Sequence, residues 1–248
     1  MGKKLSEMTL EELWQLFPIY LTEHQPYWKE WFSEEARMLE KAFSSSVRIS
    51  HIGSTAILSI WAKPIIDILV EIPKENNLLE YKDLIINNGY ICMSQGDNRL
   101  SFNKGYTENG FAERVFHLHL RYAGDNDELY FRDYLTEYSD VAEEYEDLKL
   151  RLWKEYEHNR DGYTNAKTEL VKKYTSIALN TSRKGGYSPH KLRATAATSL
   201  IGRGNSIFDV AALLDHEQVT TTQLYARQKI NVKRDLVKGM EWEIERKE

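Results

Sequence analysis

Two nearby stretches decide the fold of this chain: His51-Ile-Gly-Ser-Thr-Ala56 and Lys63-Pro-Ile-Ile-Asp-Ile-Leu-Val-Glu-Ile72. The second stretch is apolar at most positions, which is typical of a short strand buried on both faces of a sheet. The acid at its centre, Asp67, is costly to bury unless a metal ion or hydrogen-bond donors meet the carboxylate. The first stretch ends an alternating segment from Val47 with a glycine turn. Together they predict a strand, a turn, a short helix and an inner strand.

On both sides of these two stretches, the sequence predicts further helices and strands. Apolar residues at helical spacing predict four helical stretches, at 9–17, 27–43, 78–88 and, with breaks near 139 and 159–162, 127–178. Period-two alternation predicts three further strands, at 90–93, 100–104 and 114–121. In the last of these, Val115, His117 and His119 share one face. We therefore expect an α+β domain with a mixed sheet and flanking helices.

Composition excludes several classes of protein. The chain has 248 residues, 42% of them hydrophobic, with 15 Tyr and 6 Trp, so it is not predicted to be disordered. Its longest apolar run, near 64–70, is far shorter than the ~20 residues of a membrane span, and its first residues lack the apolar core of a signal peptide. The single cysteine, Cys92, rules out an intrachain disulfide framework and a Cys-rich metal site. We expect a cytoplasmic protein without membrane contact.

The charge distribution points to a second unit. Residues 180–248 hold 12 Lys and Arg against 8 Asp and Glu, although the whole chain has a net charge of -5. A basic segment of this kind is typical of proteins that contact the phosphate backbone of a nucleic acid. Basic segments also occur where they serve only the solubility of the protein. Turn-forming residues concentrate at 180–189, so we expect a boundary near 182. The prediction is a first domain over 1–181 and a small all-helical unit over 182–248.

The turn and the inner strand predict a phosphate site. A glycine turn such as Gly53-Ser54 can hold phosphate through its hydroxyl and amides at a helix start. A strand carboxylate opposite, here Asp67, can hold the magnesium ion that bridges phosphates. We therefore predict Asp67 and Ser54 as catalytic residues.

Several ordered motifs resemble the GrpB family: the His51–Ala56 and Lys63–Ile68 motifs, His117-Leu-His119, Phe131–Leu135 and Tyr163 with Lys167. The resemblance implies a fold like that of the DNA polymerase beta nucleotidyltransferases and transfer of a nucleotidyl group to an unknown acceptor. It further implies a set of nucleotide-binding residues: His51, Gly53, Ser54, Thr55, Lys63, Arg132 and Lys167. For His51, two roles are equally open: it orients the loop through a ring nitrogen, or it only caps the loop.

One departure from that superfamily pattern concerns the metal. A second acid is expected two residues after Asp67, but Leu69 stands there, which puts two-metal catalysis in doubt. If the strand of His117 and His119 lies beside that of Asp67, the three side chains could converge on a divalent ion, and such a set suits zinc, manganese or iron better than magnesium alone. Alternatively, both histidines bond to the carboxylate and line a polar cleft without metal.

The last residues resemble the carboxy-terminal part of the tyrosine recombinase, or phage integrase, family. The resemblance rests on His190, Arg193, His216 and Tyr225 in order and spacing. It implies that Tyr225 attacks a DNA phosphodiester, that Arg193 clamps the phosphate, and that the two histidines handle protons. The upstream arginine and lysine of a complete recombinase have no counterpart here. We therefore expect a truncated segment, either a remnant or a DNA-binding appendage, whose exposed apolar faces favour self-association.

Three functions remain open at this point. The first is a nucleotidyltransferase, the second a non-catalytic protein that binds a nucleotide or another phosphorylated metabolite, and the third a DNA-binding or DNA recombination protein that acts through the tail.

Overall fold

The computed structural model describes residues 3–43, 47–185 and 206, with side chains to 182 in the last helix. The described ranges form six α-helices: α1 Leu10–Leu16, α2 Tyr27–Ala42, α3 Leu78–Asn87, α4 Asp127–Glu137, α5 Ser139–Glu155 and α6 Arg160–Gly185. They also form five strands: β1 Arg48–Ile52, β2 Ile66–Ile72, β3 Ile91–Gln95, β4 Arg99–Thr107 and β5 Gly110–Tyr122. This confirms the predicted α+β class.

One mixed sheet has the strand order β1-β2-β5-β4-β3. The two inner strands β2 and β5 run parallel, whereas the other pairs are antiparallel. The parallel pairing sets Asp67 opposite His117 and Leu69 opposite His119. The strand of the two histidines thus lies beside that of Asp67.

The main core lies on one face of this sheet, under α2 and α3. Alternate apolar residues of β2 and β5, among them Ile68 and Leu118, are fully buried there against Trp28 and Leu39 of α2 and Ile85 of α3. The opposite face carries Asp67 and His117, and smaller apolar clusters bring α4, α5 and α6 to that side. Period-two alternation therefore separates the core from the polar side.

Several boundaries differ from the sequence expectation. β5 begins at Gly110 instead of Arg114, because the tight turn at 107–110, closed by a hydrogen bond from the Thr107 hydroxyl to the Gly110 carbonyl, continues the ladder with β4. α6 continues to Gly185 and so includes the first residues of the predicted linker.

The chain divides into two units, Met1–Leu179 and Asn180–Glu248. Apart from 182–185 and 206, the small helical unit predicted over 182–248 lies outside the described residues, as do His190, Arg193, His216 and Tyr225. In the described part of the chain, no helix is both long enough and apolar enough to cross a membrane.

Candidate functional site

The site is built on the parallel pair β2–β5, where Asp67 meets two histidines. His117 Nδ1 lies 3.2 Å from Asp67 Oδ1, and His119 Nε2 lies 3.9 Å from the same oxygen. The three side chains keep 28%, 18% and 29% of their surface exposed, in the order Asp67, His117, His119. The carboxylate is therefore accessible from outside, although its strand is otherwise buried.

Both partners act on the protonation of this carboxylate. Burial by itself would raise the pKa of Asp67, but hydrogen bonds and charge interactions with His117 and His119 outweigh it and hold the pKa well below its usual range. Burial lowers the pKa of His117 against the opposing pull of Asp67. The pairing thus favours the ionised form of the carboxylate, whereas burial disfavours the charged form of the imidazole.

Gly53 allows the turn to approach this carboxylate. It has φ +73°, and a Cβ at this position would lie 2.3 Å from Asp67 Oδ2. Ser54 follows at the start of a 3-10 turn, and its hydroxyl hydrogen-bonds with Tyr145 of α5. Only glycine fits between turn and carboxylate, so both the backbone and the serine lie at the site.

Two of the predicted nucleotide-binding residues support the turn from inside the protein. His51 Nε2 lies 3.0 Å from Thr55 Oγ1, and the ring stacks on Phe32 in the face opposite Asp67. Thr55 in turn donates to the Ile65 carbonyl at 3.2 Å. These side chains are buried, so their position differs from the nucleotide contact predicted for them.

Arg132 is likewise used within the protein. Its guanidinium is 5% exposed, donates to the His51 carbonyl and pairs with Asp133 at 2.6 Å. The reason is that β1 is an edge strand, whose carbonyl needs a donor that the sheet does not supply at that point. The structure thus shows a structural contact for Arg132, and its phosphate contact stays a prediction.

Lys63 and Lys167, by contrast, have their ammonium groups at the site. Both lie over the ring of Tyr163, at 5.4 and 4.1 Å from its centroid. Within the described ranges, neither Nζ has a hydrogen bond or a carboxylate within salt-bridge distance. Burial and the nearby Arg160 lower the pKa of Lys63 to about 8, against the attraction of Asp67. Burial, with repulsion from Lys63 and Lys149, lowers the pKa of Lys167 well below its usual range.

Sequence reasoning missed other residues around the site. Lys149 of α5 is 2% exposed and donates to the Trp61 carbonyl, and burial with repulsion from Lys63 lowers its pKa to about 7. Tyr106 of β4 hydrogen-bonds with His117, and Arg160 at the start of α6 donates to Tyr106. No local pattern could have identified them, because they reach the site from three separate elements.

No cluster of three or more His, Cys, Asp and Glu side chains in the described part of the chain is arranged to hold a metal ion. Asp67, His117 and His119 meet, but both ring nitrogens of His117 already have partners, Asp67 and Tyr106. The structure thus agrees with the alternative of a hydrogen-bonded polar cluster better than with a three-ligand metal site.

Comparison with known proteins identifies the family. Residues 18–176, more than half of the chain, match the family model described as GrpB protein. The chain belongs to the GrpB family. A Glutamate-rich protein GrpB from Alkalihalophilus pseudofirmus is 36% identical over 161 residues, which cover 62% of this chain and 91% of that relative. UPF0157 protein YqkA from Bacillus subtilis is 30% identical over 176 residues, covering 68% of this chain and only 50% of that relative.

Solved structures agree with this membership. A crystal structure of the conserved protein GrpB from Enterococcus faecalis is 30% identical, with a TM-score of 0.57, and covers 65% of this chain and 98% of that chain. The GrpB fold described above is thus also known by crystallography.

A second, partial match concerns the carboxy-terminal part. The phage integrase family model matches residues 134–231, and its first residues overlap the GrpB match. Tyrosine recombinase XerC from Chlorobaculum tepidum is 36% identical over 66 residues, which cover 27% of this chain and 19% of that relative. The chain therefore combines a GrpB region with a segment similar to a small part of a recombinase.

We predict that Gly53→Ala destabilises the protein more than Gly124→Ala. Both glycines have positive φ, but a Cβ at position 124 would meet nothing within 4 Å, whereas one at 53 would collide with Asp67. The control should cost about 1–2 kcal/mol from backbone strain alone, and Gly53→Ala should exceed it by at least about 1 kcal/mol. Urea unfolding measures both, and equal losses would contradict the close approach.

Proposed function

We propose that the GrpB region binds a nucleoside triphosphate at Asp67 and transfers its nucleotidyl group to an acceptor. One observation carries the proposal: the ammonium groups of Lys63 and Lys167, half-buried and without a salt-bridge partner among the described residues, lie over Tyr163 and near enough to Asp67 for its carboxylate to attract both. Buried cations repel one another and lose hydration, so they favour a bound anion. A chain of phosphates supplies that charge.

The residues of the site have separate roles in this proposal. Lys63 and Lys167 bind phosphate oxygens through charge-assisted hydrogen bonds. Ser54 and the backbone amides of its turn orient the reacting phosphate. Tyr163 supports both ammonium groups through its ring and keeps them apart from solvent. Asp67 stays ionised in the protein because the histidines stabilise its charge.

The donor set fits one divalent ion better than two. Asp67 offers a carboxylate, and Mg²⁺ often binds one or two protein carboxylates together with phosphate oxygens. The place of a second acid is held by Leu69, which is fully buried and has no side-chain oxygen. When bound, such an ion neutralises charge that develops on the phosphates. His117 and His119 orient the carboxylate.

A second candidate is nucleotide binding without transfer. It is favoured by Leu69 and by the two imidazoles, which already occupy one oxygen of Asp67. In this case the lysines would hold the same phosphates, but the carboxylate would only shape the pocket. Both candidate functions predict that the protein binds a nucleotide, but only the first predicts that the nucleotide is turned over.

Asp67→Asn provides the test of catalysis. We expect the wild-type protein, mixed with the four nucleoside triphosphates and Mg²⁺ or Mn²⁺, to release pyrophosphate from at least one of them as the nucleotidyl group passes to water or to a hydroxyl of a second nucleotide, and Asp67→Asn to be slower by at least about 100-fold. The amide keeps the shape but removes the negative charge that would attract a cation. Equal rates for the two proteins would refute nucleotidyl transfer, and binding without turnover in calorimetry would favour the second candidate.

Lysine variants test the binding step. We expect Lys63→Met and Lys167→Met each to weaken nucleotide affinity about tenfold, the loss of roughly one charge-assisted hydrogen bond. Lys172→Met is the matched control, since this lysine is 70% exposed on α6. Because the pKa of Lys63 is about 8, its charge is present below that pH, and affinity should fall between pH 7 and 9. Calorimetry measures these changes, and an equal effect of the control would contradict the assignment.

DNA contact through residues 182–248 is a further proposal, supported by their basic charge and by the partial integrase match. The missing arginine and lysine of a complete recombinase argue against strand cleavage. We expect salt-sensitive binding to duplex DNA, weakened in Arg193→Ala. We expect no covalent adduct of Tyr225 on a nicked suicide duplex, with Tyr225→Phe as the blank. An adduct only in the wild type would overturn this view.

A further inference from the structure

A chain of hydrogen bonds runs from the start of α6 to the carboxylate of β2. Arg160 donates from a terminal guanidinium nitrogen to the Tyr106 hydroxyl at 3.0 Å. The Tyr106 hydroxyl lies 2.8 Å from His117 Nε2, and His117 Nδ1 lies 3.2 Å from Asp67 Oδ1. Four residues from α6, β4, β5 and β2 are thus connected in one line.

The residues at the two ends of this line determine which atom donates in each of its hydrogen bonds. Arginine can only donate hydrogen bonds, and an ionised carboxylate can only accept them. The Tyr106 oxygen therefore accepts from Arg160 and has its single proton left to give. An imidazole with a single N–H must then carry it at Nδ1, which faces Asp67, while Nε2 accepts from Tyr106. If the ring proton were at Nε2 instead, the lone pair of Nδ1 would face the carboxylate, and the proton of Tyr106 would have no partner in the line.

We propose that Tyr106 and Arg160 are positioning residues that hold His117 in its Nδ1–H tautomer and thereby fix one oxygen of Asp67. The line is partly enclosed, because Tyr106 packs against Phe17 and Phe111, with ring centroids 4.8 and 5.2 Å away. The guanidinium of Arg160 also lies over the Tyr106 ring, 5.6 Å from its centroid. The hydroxyl thus has little freedom to turn away.

The consequence for the site concerns the two carboxylate oxygens. Oδ1 is held by His117 and approached by His119, whereas Oδ2 lies beside Gly53 at the turn. Because the Nδ1–H tautomer of His117 holds Oδ1, the carboxylate has a fixed orientation, and Oδ2 remains available to a ligand. This consequence rests on the proposed function, but the tautomer itself does not.

The tautomer can be read directly from the full chain. Long-range ¹⁵N–¹H correlation spectra of protein labelled in histidine distinguish a protonated from an unprotonated ring nitrogen, and His117→Gln assigns the signal. We expect a protonated Nδ1 and an unprotonated Nε2 in the wild type. A protonated Nε2 in the wild type would overturn the proposal.

Two variants test the positioning role. Tyr106→Phe keeps the ring packing and removes the proton donor, and Arg160→Gln frees the Tyr106 oxygen. We expect both to shift the His117 signals toward a mixture of tautomers. Arg99→Gln, at an exposed arginine paired with Asp125, should leave them unchanged. Unchanged His117 signals in Tyr106→Phe, with native near-ultraviolet circular dichroism, would refute the role.

Kinetics separate this inference from the proposed function. If the wild type releases pyrophosphate, we expect Tyr106→Phe to lower kcat about tenfold with little change in KM, since the phosphate-binding lysines are untouched. If it releases none, nucleotidyl transfer fails, while the spectra still decide the tautomer.

Discussion

The structure depends on keeping one ionised carboxylate on an inner strand. Asp67 has fully buried apolar neighbours in its own strand, namely Ile66, Ile68 and Leu69. These side chains cannot stabilise the charge of the carboxylate as water would. It is instead stabilised by imidazoles from the parallel partner strand and by a glycine turn that leaves room for its second oxygen. A slip of one residue between β2 and β5 would turn His117 and His119 to the apolar face and remove this compensation. The register between β2 and β5 therefore decides whether the charge of Asp67 is stabilised by the two histidines.

The surroundings of this carboxylate contain more positive charge than it can balance. Burial lowers the pKa of Lys63, Lys167 and Lys149, and repulsion from Lys63 adds to the shift of the other two. Of these three lysines, only Lys149 has a hydrogen bond from its ammonium group within the described ranges. Such an arrangement reduces the stability of the protein by itself, because like charges repel in a poorly hydrated place. Functional sites often contain strain of this kind, which binding relieves. The excess charge thus argues for an anionic ligand independently of any family resemblance.

Much of the fold and part of the site could be predicted from the sequence. Alternation in 114–121 separated the histidines from Phe116 and Leu118, and one acid in an apolar strand identified Asp67; both follow from the period of a strand. Tyr106, Arg160 and Lys149 could not be found this way, because their approach to the site comes from packing between distant elements. The hydrogen bond of Arg132 to the His51 carbonyl could not be predicted for a related reason: sequence does not tell whether a cation on a helix meets solvent, a ligand or a carbonyl at the end of an edge strand.

The parallel pairing of β2 with β5 also matters for the newly made chain. β3 and β4 are synthesised between the two partners, so β2 leaves the ribosome long before β5 can cover its open edge. An apolar strand with a free edge invites pairing with other nascent chains. A charge in the middle of such a strand opposes that aggregation, as gatekeeper residues do. β2 has two such charges, Asp67 and Glu71, so the acid of the candidate site also has a consequence for aggregation of the newly made chain.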